Sequence, residues 1–334
     1  MLAVSDHPSA LRRYAGLAGQ ALARRFGAAD GTGSGVDFVE AHIAYPTGLF
    51  ARLLARRLRA PLVLFAHGSD VLRAPRRSGP DRVLCRWLFG AGRLGPVGHP
   101  AAPLVVANTD YLASEVQSTL DVDPRRVLVA SPGIRYPDFV AASREPSVRR
   151  TRLLFVGHLI HRKAVDVLLD ALATLPDPPM LRVIGEGPER SALTARARAL
   201  GLERSVEFAG ALDQSAVAAA MGDASVLVVP SRQEALGLVA LEGMAAGCVP
   251  VVSDTGGLAS TVTDGENGFL ARVEDPVSLA EALERAGRAV RDPERLRALR
   301  AAADHTARSH DLELTTEFVT KAIAAALADT RTSG

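Results

Sequence analysis

Two glutamates flank the predicted start of a helix in the segment 230–242, which reads Pro-Ser-Arg-Gln-Glu-Ala-Leu-Gly-Leu-Val-Ala-Leu-Glu. An apolar run that predicts a buried strand ends at Val229, so Glu234 falls in a loop. Glu242 falls on the helix, which begins near Gly237. Unpaired N–H groups in the first helical turn, together with the macrodipole, attract an anion such as a diphosphate. The segment therefore predicts an anion site with carboxylates beside it.

The residues of this segment can be given distinct roles in binding a nucleotide that carries a sugar. Gly237 lets a ligand approach the backbone closely, and the amides of Leu238 and Val239 would face the diphosphate. Glu234 would accept hydrogen bonds from sugar hydroxyl groups, and Glu242 from both hydroxyl groups of a ribose. The alternative is an ordinary helix, because two glutamates at a fixed spacing are common. The position between a strand end and a glycine-started helix favours the binding site.

Alternating strand and helix patterns position this segment. From Val36 onward, short Val- and Leu-rich runs alternate with helix-like stretches, which is typical of βαβ units with parallel strands buried on both faces. The predicted strands are Asp37–Ala41, Leu62–Ala66, Leu104–Ala107 and Val127–Ala130 in the first series, and Leu153–Val156, Leu181–Ile184, Val206–Phe208, Val226–Val229, Val249–Val252 and Phe269–Ala271 in the second. Helices are predicted at Gly48–Arg59 and Tyr111–Leu120. The two series predict two doubly wound, Rossmann-like α/β domains.

The domain limits follow from where this periodicity is lost. Residues 140–151 carry proline and charge and predict a linker, so the domains are expected at 1–140 and 152–310. Residues 311–334 are expected to form a helical tail that packs back toward the N-terminal domain. Residues 5–26 are predicted to form a turn and a helix, with no clear strand before Asp37.

Composition narrows the class of protein. The 334 residues are 48% hydrophobic, which supplies a sizeable core for two domains. Cys85 and Cys248 lie in unlike contexts, so neither a disulfide framework nor a zinc spacing is predicted. No apolar run approaches the roughly 18 residues of a spanning helix, and the segment 1–10 does not resemble a signal peptide. These features predict a cytoplasmic protein.

Charge is distributed unevenly along the chain. Residues 1–150 hold 20 basic and 12 acidic residues, a net charge of +8, whereas residues 151–334 hold 19 and 25, a net charge of −6. The basic half indicates an anionic partner, either a phosphorylated acceptor or an anionic membrane touched peripherally at its inner face. Arginines among Leu84, Trp87 and Leu88 would suit a membrane-surface helix. The alternative for this segment is a helix that packs Trp87 into the core. The alternative for the basic half is that its arginines have no binding function and only reflect an Ala- and Arg-rich composition.

The spacing of Glu234 and Glu242 resembles the E-x7-E arrangement of the family-4 retaining glycosyltransferases, also called glycosyl transferases group 1. Further segments are similar to the family's motifs over about residues 150–290, in order. They are Phe155-Val156-Gly157-His158-Leu159 with Lys163, Gly185-Glu186-Gly187-Pro188, Gly256-Gly257 and Asp264-Gly265-Glu266-Asn267-Gly268. In the N-terminal half, His42, Tyr45-Pro46-Thr47-Gly48 and His67-Gly68-Ser69-Asp70 are similar to the family's acceptor-side strands.

The resemblance implies a GT-B fold, in which two Rossmann-like domains face each other across a cleft. It implies transfer of a hexose-type sugar from a UDP- or GDP-sugar to an acceptor hydroxyl group, with retention of anomeric configuration. The C-terminal domain would bind the nucleotide-sugar donor, and the N-terminal domain a glycan, lipid-linked or small-molecule acceptor. No cofactor is expected, because the nucleotide sugar is a substrate. Neither a metal ion nor a nucleic acid partner is expected.

The resemblance also implies roles for particular residues. The expected catalytic residues are His67, Lys163 and Glu234, and the expected acceptor-side residues are His42, His67 and Asp70. The expected donor-binding residues are Gly157, His158, Lys163, Gly185, Glu234, Gly237, Leu238, Val239 and Glu242. Charge that develops on the departing β-phosphate would be stabilised by Lys163 and His158.

Several positions depart from the family pattern. His158 stands where the family has arginine, and a histidine is shorter and only partly charged near neutral pH, so Arg162 is an alternative cation. Ala164 stands where the family has glycine, and Ser260 where it often has glutamate. The family's first strand with its glycine-rich loop has no counterpart ahead of residues 12–26. Either the start is placed too late or the chain is truncated and impaired.

Two other functions remain as alternatives. The first is an impaired remnant that still binds a sugar nucleotide, which the departures at the N-terminus and at His158 would explain. The second is a dehydrogenase with a dinucleotide site, because such enzymes also use βαβ units. No G-x-G-x-x-G follows a first strand in this sequence, which disfavours the dehydrogenase.

Overall fold

The computed structural model describes residues 23–24, 38–42, 47–58, 60–68, 71, 103–142 and 152–332. Contacts divide the chain into two compact units. One comprises Met1–Ser131 with Phe318–Gly334, and the other Pro132–Glu317. Asp70, Tyr45 and Pro46, the basic segment beyond Val71 and most of the predicted linker lie outside the described residues. None of the described helices is long and apolar enough to cross a membrane.

The first unit contains a sheet with the order β1-β2-β3-β4-β5, in which β1 runs antiparallel to β2 and the other neighbours are parallel. The strands are β1 (Ala23–Arg24), β2 (Phe38–His42), β3 (Leu62–Ala66), β4 (Leu104–Ala107) and β5 (Val127–Val129). Helix α1 (Leu49–Leu58) connects β2 to β3, and α2 (Asp110–Leu120) follows β4. Thr109 caps α2 by accepting a hydrogen bond from the Leu112 amide at 3.1 Å.

Alternate residues of these strands face two apolar layers. Val39 and Leu64 pack on one face of the sheet, whereas Phe38 and Val63 pack on the other. Ile323 of the last helix, α11 (Leu312–Thr332), packs into the second of these layers. The continuous Val and Leu runs are therefore buried on both faces, as parallel strands require.

The segment ahead of β2 differs from the sequence-based prediction. A helix was expected to continue to residue 26, but Ala23 and Arg24 pair antiparallel with Val39 and Phe38. The prediction is wrong at these two residues. Helix propensity is local, whereas the exposed edge of β2 presents backbone groups that a neighbouring extended segment satisfies.

The second unit contains a fully parallel sheet with the order β11-β10-β9-β6-β7-β8. Its strands are β6 (Arg152–Val156), β7 (Met180–Ile184), β8 (Val206–Gly210), β9 (Val226–Val229), β10 (Val249–Ser253) and β11 (Phe269–Ala271). Its helices are α3 (Tyr136–Val140), α4 (Val165–Ala173), α5 (Arg190–Ala199), α6 (Gln214–Asp223), α7 (Leu238–Ala245), α8 (Gly256–Thr261), α9 (Pro276–Arg291) and α10 (Pro293–Ser309), with the start of α11. Strand β9 shows the packing clearly, since Val226 and Val228 face one apolar layer and Leu227 and Val229 the other.

The strand order of this sheet reverses beside β6. The chain adds β7 and β8 on one side of β6 and then crosses to add β9, β10 and β11 on the other. In open α/β sheets, ligands bind outside the carboxyl ends of the strands at this reversal, the topological switch point. The switch point of the second unit therefore lies between the ends of β6 and β9.

The division between the units falls nearer the N-terminus than the predicted linker. Helix α3 (Tyr136–Val140) lies against α6 and α7 of the second unit. Ile134 is joined to the residues that precede α11, because its N–H donates to the His310 carbonyl at 2.8 Å. Its carbonyl in turn accepts from the Leu312 N–H at 2.8 Å. The strand and helix periodicity of the sequence is therefore lost at the end of α3, inside the second unit, and not at the division between the units.

Candidate functional site

An ion pair between Lys163 and Glu234 lies at the switch point. Lys163 follows β6 and Glu234 follows β9, and the Lys163 Nζ and Glu234 Oε2 atoms are 2.5 Å apart. Only 16% and 12% of the two side chains are exposed, so solvent screens these charges weakly. A second cation, Arg162, places its Nη1 atom 3.7 Å from Glu234 Oε1. The structure brings these sequence-predicted residues together.

The loop that carries Glu234 is held in place by the first residues of α8. The Gly257 N–H donates to the Glu234 carbonyl at 3.1 Å. A Cβ atom at Gly257 would overlap the Ala235 carbonyl and the Leu236 Cα atom. A glycine is therefore required at this position, because α8 begins in direct backbone contact with the loop.

Helix α7 starts beside this ion pair. Gly237 precedes its first residue with φ of 79°, a left-handed conformation that glycine adopts without cost. The N–H groups of Leu238 and Val239 occupy the first helical turn, where no carbonyl of the same helix can accept from them. These amides and the positive end of the helix dipole lie where the anion site was predicted, and anion binding there stays a prediction.

Glu242 lies on the same helix and is half-buried. Burial raises the pKa of its carboxyl group above the usual value. Nothing in the part of the chain that the structure describes forms a hydrogen bond or ion pair with its side chain. A half-buried carboxylate without a protein partner suits hydrogen-bond donors from a bound ligand, such as ribose hydroxyl groups.

The turns after β6 and β7 are in backbone contact. The Gly157 N–H donates to the Ile184 carbonyl at 3.0 Å, and a Cβ atom at Gly185 would overlap the Gly157 carbonyl oxygen. His158 is exposed, and its Nδ1 atom lies 3.1 Å from the Glu186 carbonyl oxygen. A carbonyl oxygen only accepts, so Nδ1 carries the hydrogen and Nε2 is the atom left for a ligand.

Two imidazoles meet at the carboxyl edge of the first sheet. His42 ends β2 and His67 follows the neighbouring strand β3. The His42 Nδ1 and His67 Nε2 atoms are 2.8 Å apart, and the His42 ring stacks on Phe65 at 4.5 Å between centroids. The two predicted acceptor-side histidines therefore form one hydrogen-bonded pair.

Family models match nearly the whole chain. The model described as "Glycosyl transferases group 1" matches residues 141–305, and the model described as "Glycosyltransferase Family 4" matches residues 4–136. A D-inositol 3-phosphate glycosyltransferase from Streptomyces griseus is 36% identical over 88% of this chain and 68% of its own length. The chain belongs to the family-4 glycosyltransferases.

Other curated members of the family extend this comparison. A glycogen synthase from Mycobacterium tuberculosis is 31% identical over 87% of this chain and 67% of its own length. A D-inositol 3-phosphate glycosyltransferase 2 from Catenulispora acidiphila is 35% identical over 74% of this chain and 61% of its own length. The chain thus spans between 61% and 68% of these three relatives. The predicted assignment to a transferase family is confirmed.

Solved structures share the fold of this chain. Anabaena HepE in complex with UDP and glucose aligns with a TM-score of 0.74 at 20% identity, over 87% of this chain and 79% of HepE. A sucrose-phosphate synthase from Thermosynechococcus elongatus aligns with a TM-score of 0.69 at 22% identity, over 87% and 75% of the two chains. The GT-B fold predicted from the family motifs is confirmed.

Three residues of the site in this family-4 member were not predicted from the sequence. Ser231 is fully buried, with its Oγ atom 3.4 Å from Glu234 Oε2. Arg232 and Asp166 form a two-point ion pair at 3.0 and 2.7 Å next to Lys163. The signal that could have found Arg232 was its position two residues before Glu234, in the loop at the carboxyl end of β9.

Proposed function

We propose that this chain transfers a hexose-type sugar from a nucleotide sugar to an acceptor hydroxyl group, with retention of anomeric configuration. The observation that supports this most directly is the Lys163–Glu234 pair at the switch point, beside the amides that begin α7. A UDP-sugar is the preferred donor in this proposal, because Anabaena HepE, a protein of the same fold, crystallised in complex with UDP and glucose.

The chemistry follows from where charge develops. The bond between the anomeric carbon and the β-phosphate oxygen breaks, and its electron pair stays on the departing diphosphate. The acceptor hydroxyl oxygen would bond to the anomeric carbon on the same face, and its proton would pass to the diphosphate. Lys163 and the amides of Leu238 and Val239 would stabilise that charge, and Glu234 would hold sugar hydroxyl groups. Fixed cations and amides can supply this stabilisation, so we expect no requirement for a metal ion.

The acceptor is proposed to be anionic. Relatives are named for D-inositol 3-phosphate and for glycogen, which are a phosphorylated polyol and a glucan. The net charge of +8 over residues 1–150 favours the phosphorylated class. His42 and His67, with Asp70, are the proposed acceptor-side residues of this unit, and His67 is the one proposed to act in catalysis.

An assay of the full chain tests this function. Purified protein is incubated with UDP- and GDP-hexoses and with phosphorylated and neutral polyols, and released diphosphate and glycosylated product are measured. The configuration of the new bond is read by NMR. Transfer with an α-linked product from an α-linked donor is expected, and inversion would contradict the proposal. Tight diphosphate binding without transfer or donor hydrolysis would favour the impaired remnant.

Replacing Glu242 by glutamine is expected to weaken nucleotide binding and to stabilise the protein at neutral pH. The substitution replaces one of two acceptor oxygens by an NH2 donor, which leaves one ribose hydroxyl group without its acceptor and should cost about 1–3 kcal/mol of binding free energy. Burial raises the pKa of Glu242 in the folded state, so the ionised carboxylate opposes folding. That penalty is absent at pH values below the unfolded pKa and grows as the pH rises through the folded pKa. Calorimetry and melting curves from acid to neutral pH measure both effects.

The matched control for this substitution is Glu281→Gln on the exposed face of α9. It should change neither the nucleotide affinity nor the pH dependence of melting by a measurable amount. If Glu242→Gln keeps wild-type nucleotide affinity, Glu242 is an ordinary helix residue and the ribose contact is wrong.

Replacing His158 by arginine is expected to raise turnover several-fold above neutral pH. Arginine stays charged throughout the working range, and the exposed position leaves room for the longer side chain. Initial rates as a function of pH measure the effect, with His305→Arg on the exposed face of α10 as the control. Unchanged rates for His158→Arg would assign the second cation to Arg162.

A further inference from the structure

Arg232 joins the two loops that form the proposed donor site. It lies between β9 and α7, and 14% of its side chain is exposed. Its Nη1 and Nη2 atoms donate to the two carboxylate oxygens of Asp166 at 3.0 and 2.7 Å. Its Nε atom donates to Glu274 at 2.7 Å, and Nη1 also donates to the His161 carbonyl at 2.5 Å. One guanidinium group therefore binds the residues on both sides of Lys163.

Backbone contacts strengthen the same connection. The Arg232 N–H donates to the Arg162 carbonyl at 2.9 Å, and Arg162 Nη1 donates to the Gln233 carbonyl at 3.3 Å. The segment 161–163 forms a 3₁₀ turn, and Asp166 lies in the first turn of α4. The loop with Lys163 is thus attached to the loop with Glu234 at several points.

The turn that carries Lys163 needs such support. Ala164, the next residue, has φ of 53°, a left-handed conformation that costs a residue with a Cβ atom about 1 kcal/mol or more. Burial opposes ionisation of Asp166, yet hydrogen bonds and charge from Arg232 hold the pKa of its carboxyl below the usual value. The pair is therefore ionised and is available to hold this turn.

We propose that Arg232 is a positioning residue that sets the location of Lys163 for contact with the departing diphosphate. This inference rests on the proposed function and adds to it a residue that contacts neither the sugar nor the phosphate. Arg232 acts through Asp166 and the His161 carbonyl, which fix the start and end of the turn. A displacement of about 1 Å in a positioned catalytic group can cost on the order of 100-fold in rate.

The competing explanation is that Arg232 only stabilises the fold. A matched pair in the same unit separates the two explanations. Arg196 of α5 makes a two-point bond to Asp170 at 2.8 and 2.6 Å, and Asp170 lies one helical turn beyond Asp166 on α4. Both pairs hold α4, but only the Arg232 pair contacts the turn with Lys163.

The experiment compares binding of a nucleoside diphosphate with binding of its nucleoside. The probe is UDP or GDP, whichever the wild type binds more tightly, and uridine or guanosine is its partner. Calorimetry is carried out on the wild type, Arg232→Met, Asp166→Asn, their double mutant, Lys163→Ala and Arg196→Met. Melting temperatures of all six proteins are measured in parallel. Asp166→Asn keeps the side-chain shape, so it decides the question if Arg232→Met does not fold.

We expect Arg232→Met and Asp166→Asn each to weaken diphosphate binding about tenfold and to leave nucleoside binding unchanged. The double mutant should lose no more than either single mutant, because both changes break one connection. Arg196→Met should lower the melting temperature by about as much as Arg232→Met does, without changing the diphosphate affinity. Wild-type diphosphate affinity in both Arg232→Met and Asp166→Asn, with a loss in Lys163→Ala, would overturn the positioning role alone. Unchanged affinity in Lys163→Ala would overturn the proposed diphosphate site itself, as would a wild type that binds neither diphosphate.

Discussion

Lys163→Ala is expected to lower the turnover of sugar transfer by about 100-fold or more, the loss that follows removal of one preorganised charge-stabilising donor. The Lys163 ammonium lies 2.5 Å from Glu234 at the switch point and is mostly shielded from solvent. Its charge is therefore felt strongly by a diphosphate at the start of α7. The measurement is the initial rate at saturating donor, because the interaction is strongest in the transition state.

The control for this substitution uses the other lysine of the sequence, Lys321 on α11. Lys321→Ala removes the same charge and should keep turnover within about twofold of the wild type. Near wild-type turnover in Lys163→Ala would contradict the phosphate-stabilising role. Glu234 would also lose its closest cation in that variant, so melting curves should accompany the rates.

Gly185→Ala is expected to destabilise the second unit by about 3 kcal/mol or more and to abolish donor binding with it. The added Cβ atom would overlap the carbonyl oxygen of Gly157, and the backbone there has φ of +143°. Relief of that overlap requires the turns after β6 and β7 to separate, which would move His158 away from Glu186. Denaturant unfolding and nucleotide calorimetry measure the two effects.

Gly201→Ala separates the steric effect from the backbone effect. Gly201 has φ of +71°, and an added Cβ atom at this position has no heavy atom within 4 Å. The substitution Gly201→Ala should therefore lower the stability only by the cost of a left-handed backbone conformation, about 1 kcal/mol, and leave nucleotide binding intact. Equal losses of stability in Gly185→Ala and Gly201→Ala would show that the contact between the two turns is not tight.

Much of the fold was encoded in local sequence patterns. The Val and Leu runs predicted β3, β4, β9 and β11 with the bounds that the structure shows, because strands buried on both faces must be apolar throughout. The helix that begins after Gly237 was also predictable. Its glycine, the preceding strand and the spacing of Glu234 and Glu242 all lie within a few residues of one another.

Tertiary structure alone decided which of these elements meet. Lys163 and Glu234 are 71 residues apart, and they pair because β9 crosses back to lie beside β6. Arg232 and Asp166 meet for the same reason across 66 residues. Strand order is set by the packing of the whole sheet, and a local pattern of apolar residues contains no information about it.

The N-terminal half also contains pairings that local sequence patterns do not predict. Residues 23–24 have a helix-forming sequence context, yet they pair with the edge of β2, where hydrogen bonding outweighs a weak local preference. His42 and His67 were each predicted from segments that resemble the family's acceptor-side strands. Their hydrogen bond depends on the parallel pairing of β2 with β3, which places both rings at one edge of the sheet. The sequence by itself determined the elements and the residue types of the site, and long-range packing determined which side chains act together.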